Sequence, residues 1–169
     1  MKHATVALHP GDVACVDSGQ RMETLLGSCV AIVLTDPRRT VGAMCHIVHA
    51  GAPKPWAGRD TAYGASALAE MRRLLRLRSI DAGQCLAWVY GGGHMFPDQP
   101  GAAADYGHVG ASNAEWALAA LQQAGIQLLG ADLGGHAYRK LRWTVGRGAP
   151  EVEATAIPSR RRVAREPTA

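Results

Sequence analysis

The chain is 169 residues long, 47% hydrophobic and 19% charged, with nine aromatics and a formal net charge of +4. That length favours one domain with a single sizeable core, filled for want of aromatics by Ala, Val, Leu and Ile. The mild positive balance, with no basic stripe interleaved with aromatics, argues against nucleic-acid binding, and no apolar run reaches the roughly 18 residues of a spanning helix.

In chain order, the apolar start Ala4 to Leu8 is cut by His9 and Pro10, which does not suit a signal peptide, so a cytoplasmic location without membrane insertion is expected. "VACVDS" predicts a short strand. "CVAIVLTDPRRTVGAMCHIVH" predicts two β-rich runs around a turn at Asp36 to Arg39. "GAPKPWAGRD" is a loop. From about Asp60 to Ile80 the period becomes helical: Leu68, Met71, Leu74 and Leu75 share one face, Arg73 and Arg76 lie away from it, and Arg72 sits at its edge.

"CLAWVYGGGHMF" predicts a buried strand running into a glycine-rich bend. "SNAEWALAALQQAG" predicts a second helix, opened by a capping box of Ser112 and Glu115 and stopped at Gly125. Strands are predicted around Ile126–Leu129, Lys140–Val145 and Val152–Ile157. The expected fold is mixed α/β (α+β): a single domain over 1–158, with a β-sandwich-like core of short, largely antiparallel strands and two main helices packed outside. Residues 159–169 are expected to be a basic, disordered tail.

The four cysteines, Cys15, Cys29, Cys45 and Cys85, form no CxxC pair and are expected to be free thiols, most of them buried. Cys29 follows Gly27-Ser28 at the mouth of an apolar run. If the hairpin turn is symmetric about Pro37 and Arg38, paired positions sum to 75, which places His46 opposite Cys29. Opposed side chains have Cβ atoms about 4.5–5.5 Å apart on one face. A histidine there can activate a cysteine nucleophile; the alternative is a small apolar residue packed in a strand.

"CHIVH" offers Cys45, His46 and His49 as metal ligands, with His94 or His108 completing a site. On a strand, however, positions 45 and 49 share a face and 46 points away. "GGGH" and "DLGGH" lack the phosphate-loop pattern and read as turns.

Four segments, taken in order, resemble the CheD family of chemoreceptor glutamine deamidases: "LLGSCVAIVLTDP", "VGAMCHIVH", "VYGGGHMF" and "VGASNAEWALAALQQAGIQLLGADLGGHAYRKLRW". The resemblance runs from about Gly11 to Val152. His136 stands where the family often has asparagine, and "VGASN" departs from a charged pair before Asn113.

The resemblance implies a cysteine hydrolase that converts glutamines of methyl-accepting chemotaxis receptors to glutamate through a thioester. Some members also hydrolyse receptor methyl esters. It implies no metal and no other cofactor. The family nucleophile falls on Cys29 and its histidine on His46. The third residue is a threonine upstream: an ungapped match gives Glu23, and Thr24 beside it is taken. Gly27, Ser28 and Asn113 are the expected substrate-binding residues. A CheC-type phosphatase is an implied partner. An adaptor that docks on receptors or CheC without catalysis, and a metal hydrolase built on the histidine-rich segments, are the alternatives. A basic rim of Arg38, Arg39 and the C-terminal arginines is expected to favour an acidic receptor surface.

Overall fold

The computed structural model describes residues 4–96 and 103–158, with the backbone only for 103–107. The expectation of a disordered tail over 159–169 lies outside the described residues. Nine strands and two helices follow in order: β1 (Thr5–Leu8), β2 (Val13–Asp17), β3 (Arg21–Leu26), β4 (Val30–Thr35), β5 (Val41–Cys45), α1 (Gly64–Arg76), β6 (Leu86–Gly91), α2 (Ala103–Gln123), β7 (Gln127–Leu133), β8 (Ala137–Thr144) and β9 (Glu151–Ala156).

The strands form two sheets, one ordered β1-β3-β8-β9 and the other β2-β5-β4-β6-β7. All pairings are antiparallel except β1 with β3 and β6 with β7. The fold is thus a mixed α+β sandwich with both helices on the outer face of the five-stranded sheet.

β4 shows why the sheets stack this way. All six of its residues are buried. Val30, Ile32 and Leu34 pack with Ala67, Met71 and Leu75 of α1 and with Ala117 and Leu121 of α2. Ala31 and Val33 turn the other way, onto Met22, Leu26, Leu141 and Trp143 of the four-stranded sheet. A central strand covered on both faces needs this continuous apolar run. β3 instead alternates: Met22, Thr24 and Leu26 are buried, whereas Arg21, Glu23 and Leu25 face outward. Its outer face meets water, so half its residues stay polar or exposed.

Two sequence expectations need correction. In β4 and β5, Val33 pairs with Met44, Leu34 with Ala43 and Thr35 with Gly42, and Val30 bridges Ile47, so paired positions sum to 77. The buried Asp36 carboxylate sets this register. It accepts the N–H of Thr40 (2.8 Å) and Val41 (2.9 Å) and the Thr40 hydroxyl (2.6 Å). The turn therefore takes four residues between Asp36 and Val41, with Arg39 at φ +58°. Cys29 comes opposite Val48. Because the shift is two residues, His46 keeps the face expected of it and becomes a diagonal neighbour of Cys29.

The second correction concerns α2, which begins nine residues before the expected cap at Ser112. Ser112 sits exposed within the helix. Alanines upstream carry the helix further, and Gly110 lets it lie against the bend after β6. A Cβ on Gly110 would stand 2.4 Å from the Gly93 carbonyl oxygen. The stop at Gly125 does match: it has φ +68°, Gly125 N–H bonds Gln122 and Ile126 N–H bonds Leu121.

Candidate active site

The pairings bring the ends of β1, β3, β5, β6, β7 and β9 and the starts of β2, β4 and β8 to one end of the sandwich. There β3 passes through Gly27, Ser28 and Cys29 into β4 and so crosses from one sheet to the other. Thr24 comes from the four-stranded sheet, and Cys29 and His46 from the ends of the interior strands β4 and β5 of the five-stranded one.

Inward alternation on β3 turns the Thr24 hydroxyl, not the Glu23 carboxylate, toward His46. Glu23 faces out, 3.9 Å from Arg142. Thr24 Oγ1 lies 2.8 Å from the Leu8 carbonyl oxygen and 2.7 Å from His46 Nδ1. A hydroxyl carries one proton. Thr24 donates it to Leu8, so it accepts from Nδ1–H, which leaves the lone pair of the neutral imidazole on Nε2. The His46 backbone is held on both sides, its N–H on Asp12 O (3.0 Å) and its carbonyl on Gly11 N–H (2.9 Å). Only 2% of His46 is exposed. Burial pushes its pKa down to about 4; Asp12 opposes this shift and His9 adds to it.

Cys29 is half-buried, and burial raises its thiol above the usual value. At neutral pH both groups are therefore uncharged: a thiol at Cys29 and a neutral imidazole at His46, its diagonal neighbour in the strand register.

The turn carrying Cys29 is clamped from three directions. Gly92 N–H bonds the Cys29 carbonyl and Gly93 N–H bonds the Gly27 carbonyl, each at 2.9 Å. Asn113 on α2 donates its side-chain amide to the carbonyls of Ser28 (3.2 Å) and Val48 (3.0 Å). Asn113 is 1% exposed and ties the cysteine turn to the segment just after His46. Among the described residues, no acceptor takes the main-chain N–H of Ser28 or Cys29.

Gly91 makes the close approach possible. It has φ +110°, and a Cβ there would lie 2.2 Å from the Cys29 carbonyl oxygen. Arg139 lies in the "DLGGHAYRK" stretch, where no local pattern assigns it a role. It is buried and donates to Gly91 O (3.3 Å), Gly134 O (2.8 Å) and Asp132 (3.1 Å), fixing the glycine bend to the β7–β8 connection. The signal for it was Asp132 and Arg139 on either side of Gly134-Gly135.

The metal reading brings its ligands nowhere together. Cys45 faces the helix-side core, where burial pushes its thiol up to about 12. His46 faces the opposite sheet. The His49 ring packs on Tyr63 at 4.8 Å, and His94 on His136 at 5.2 Å. Among the described residues no three His, Cys, Asp or Glu side chains form a metal-holding group. Among them, too, no helix is long and apolar enough to cross a membrane. Arg38 and Arg39 lie in the β4–β5 turn, at the far end of the strands from Cys29, and Arg39 stacks 5.2 Å over Trp88. They form no rim to this site.

Residues 49–154 match the family model described as CheD chemotactic sensory transduction. The matched segment begins three residues after His46. The chain is 36% identical over 149 residues to a probable chemoreceptor glutamine deamidase CheD 2 of Albidiferax ferrireducens, covering 87% of this chain and 85% of that protein. It is 32% identical over 143 residues to a probable chemoreceptor glutamine deamidase CheD of Pseudomonas fluorescens (85% and 80%). It is 30% identical over 135 residues to one of Jannaschia sp. (80% and 73%). A solved Neisseria meningitidis protein of the family model DUF152 aligns with TM-score 0.43 and 14% identity over 80% of this chain and 65% of that one, a distant likeness. With a family-model match over more than half its length and identities of 30–36% across most of these relatives, the chain belongs to the CheD family.

Proposed function

We propose that this protein deamidates glutamine side chains of chemotaxis receptors, with Cys29 as nucleophile, His46 as acid and base, and Thr24 as the residue that orients His46. The observation that carries this reading is the 2.7 Å contact of Thr24 Oγ1 with His46 Nδ1, made while the Thr24 proton is committed to Leu8. It frees Nε2 to take the thiol proton. The relatives' names supply the substrate class.

The thiol of Cys29 loses its proton to His46 Nε2 as sulfur attacks the side-chain amide carbon. The N–H groups of Ser28 and Cys29, which no acceptor takes among the described residues, hold the oxyanion. The imidazolium passes its proton to the departing ammonia, leaving a thioester. His46 then takes a proton from water, which attacks the thioester and releases glutamate and the thiol. A receptor methyl ester enters the same path with methanol as the leaving group. Neither metal nor organic cofactor takes part.

Asn113 is a positioning residue in this scheme, because its amide is spent on two main-chain carbonyls. Gly27 and Ser28 line the approach to the nucleophile. A cytoplasmic location and a CheC-type partner accompany the reading.

The test is ammonia release from purified receptor. Wild type should release ammonia and Cys29→Ala should not; equal release by both would overturn the assignment.

A further inference from the structure

The outer face of the four-stranded sheet changes character along its strands. Away from the catalytic end it carries matched charges: Glu23 lies 3.9 Å from Arg142, and Arg142 stands opposite Glu151. One row nearer the site, Lys140 stands between Glu153 on β9 and Leu25 on β3. In the last row Tyr138 stands opposite Thr155, and continuing the β3–β8 register puts Gly27 on its other side. That row carries no charge.

Three large side chains gather there around the turn that carries the nucleophile. A Cβ on Gly27 would stand 2.9 Å from Met95 Sδ and 3.5 Å from the Tyr138 ring. The Met95 methyl also lies 2.5 Å from where a Cβ on Gly93 would stand, and Gly93 N–H bonds the Gly27 carbonyl. Both glycines therefore lie beneath Met95, and Gly27 is two residues from Cys29. Leu25 is the diagonal neighbour of Tyr138 on the same face. Leu25 is 63% exposed and Tyr138 45%, while Met95 is half-buried. Apolar side chains gathered in water mark a contact surface. Their position decides what covers them: a protein that presents a glutamine to Cys29 lays the residues beside that glutamine over the Gly27 turn. Tyrosine offers a broad rigid face and methionine an adaptable one, which suits apolar side chains of more than one shape.

We infer that Leu25, Met95 and Tyr138 form one wall of the mouth of the site and select glutamines flanked by apolar residues of the protein substrate. The inference rests on the deamidase reading and says which glutamines that chemistry reaches. The wall touches the substrate beside the reacting amide, not the amide itself, so it acts on KM. A glutamine flanked by charged side chains would lose their hydration against Leu25 and Tyr138 with no partner in return, and is disfavoured.

The experiment compares wild type with the L25S/Y138S variant on detergent-solubilised receptor, with conversion read by peptide mass spectrometry. The expected result is a kcat/KM lower on the order of tenfold, carried by KM, as loss of an aromatic contact at an interface gives. Y138F should retain most of the activity, and the rate of Cys29 alkylation by iodoacetamide should match wild type. On the substrate side, serine in place of the apolar residues flanking a converted glutamine should slow wild type by a similar factor and slow the double variant little further. A kcat/KM within twofold of wild type would overturn the wall. So would a loss carried by kcat with KM unchanged, or slowed alkylation, either of which would make these residues structural. Two other outcomes count against it. A loss seen only with receptor in lipid bilayers would assign the face to the membrane surface, and a change in the enzyme's own oligomeric state would assign it to a second copy of the chain. If wild type itself converts no glutamine, the deamidase reading fails, whereas conversion undiminished in the variant sinks the wall alone.

Discussion

Thr24 and His46 come from different sheets and meet at 2.7 Å, with the threonine proton already given to Leu8. That one contact fixes the imidazole tautomer and ring orientation. It also ties the chemistry to the sandwich itself, because the two residues stay in contact only while the sheets stay packed.

Replacing Thr24 with valine keeps the shape and removes the acceptor for Nδ1–H. We expect kcat to fall on the order of tenfold to a hundredfold with KM little changed, as orienting groups behave elsewhere. Thr24→Ser should retain most of the activity. A valine variant within twofold of wild type would remove Thr24 from the mechanism.

The pH response follows from burial. The Cys29 thiol is raised by burial and His46 is pushed down to about 4. Iodoacetamide alkylation should therefore climb into the alkaline range, without the plateau near pH 6 that a thiolate–imidazolium pair would give. For stability, the unfolded chain binds a proton on His46 below about 6.5 that the folded chain refuses until about 4. Stability is thus complete above that window and declines as pH falls through it, by up to about 3 kcal/mol. Asp36 acts lower: hydrogen bonds from Thr40 and Val41 outweigh its burial and lower its pKa, so its contribution is lost as pH falls further. Melting temperatures of wild type and His46→Gln between pH 7 and 4 test this. Parallel curves would contradict the buried neutral imidazole.

Asn113 separates positioning from substrate contact. Asn113→Ala leaves the Ser28 and Val48 carbonyls without their side-chain donor, costing roughly 1–3 kcal/mol of stability. If it only positions the turn, kcat falls and KM holds. A raised KM with unchanged kcat would make it a substrate ligand instead.

Gly110→Ala sets two effects against each other. Alanine gains about 1 kcal/mol of helix propensity over glycine. Against this, its Cβ would stand 2.4 Å from the Gly93 carbonyl oxygen, and such overpacking costs typically 1–3 kcal/mol. We expect net destabilisation in denaturant melts and loss of activity as α2 is pushed off the glycine bend. A variant more stable than wild type would show that α2 does not press there.

Parts of this arrangement were legible in the sequence for physical reasons. β4 declares itself as an apolar run because both its faces are covered, and α1 because only one of its faces is. β3 is quieter: "RMETLL" alternates in and out, but its inward Thr24 is polar and interrupts the pattern. The shared face of Cys29 and His46 was legible from parity, whereas their register was not, since it depends on a carboxylate, Asp36, folding back into its own turn. Ser112 mimics a cap because capping residues are also tolerated on an exposed helix face. Arg139 and Asn113 hold main-chain atoms distant in sequence, a role that no local pattern carries.

The most direct measurement is peptide mass spectrometry of purified receptor after incubation with wild type and with Cys29→Ala. The account predicts Gln→Glu conversion at defined receptor positions with wild type and none with the variant. Conversion by both, or by neither, would contradict it.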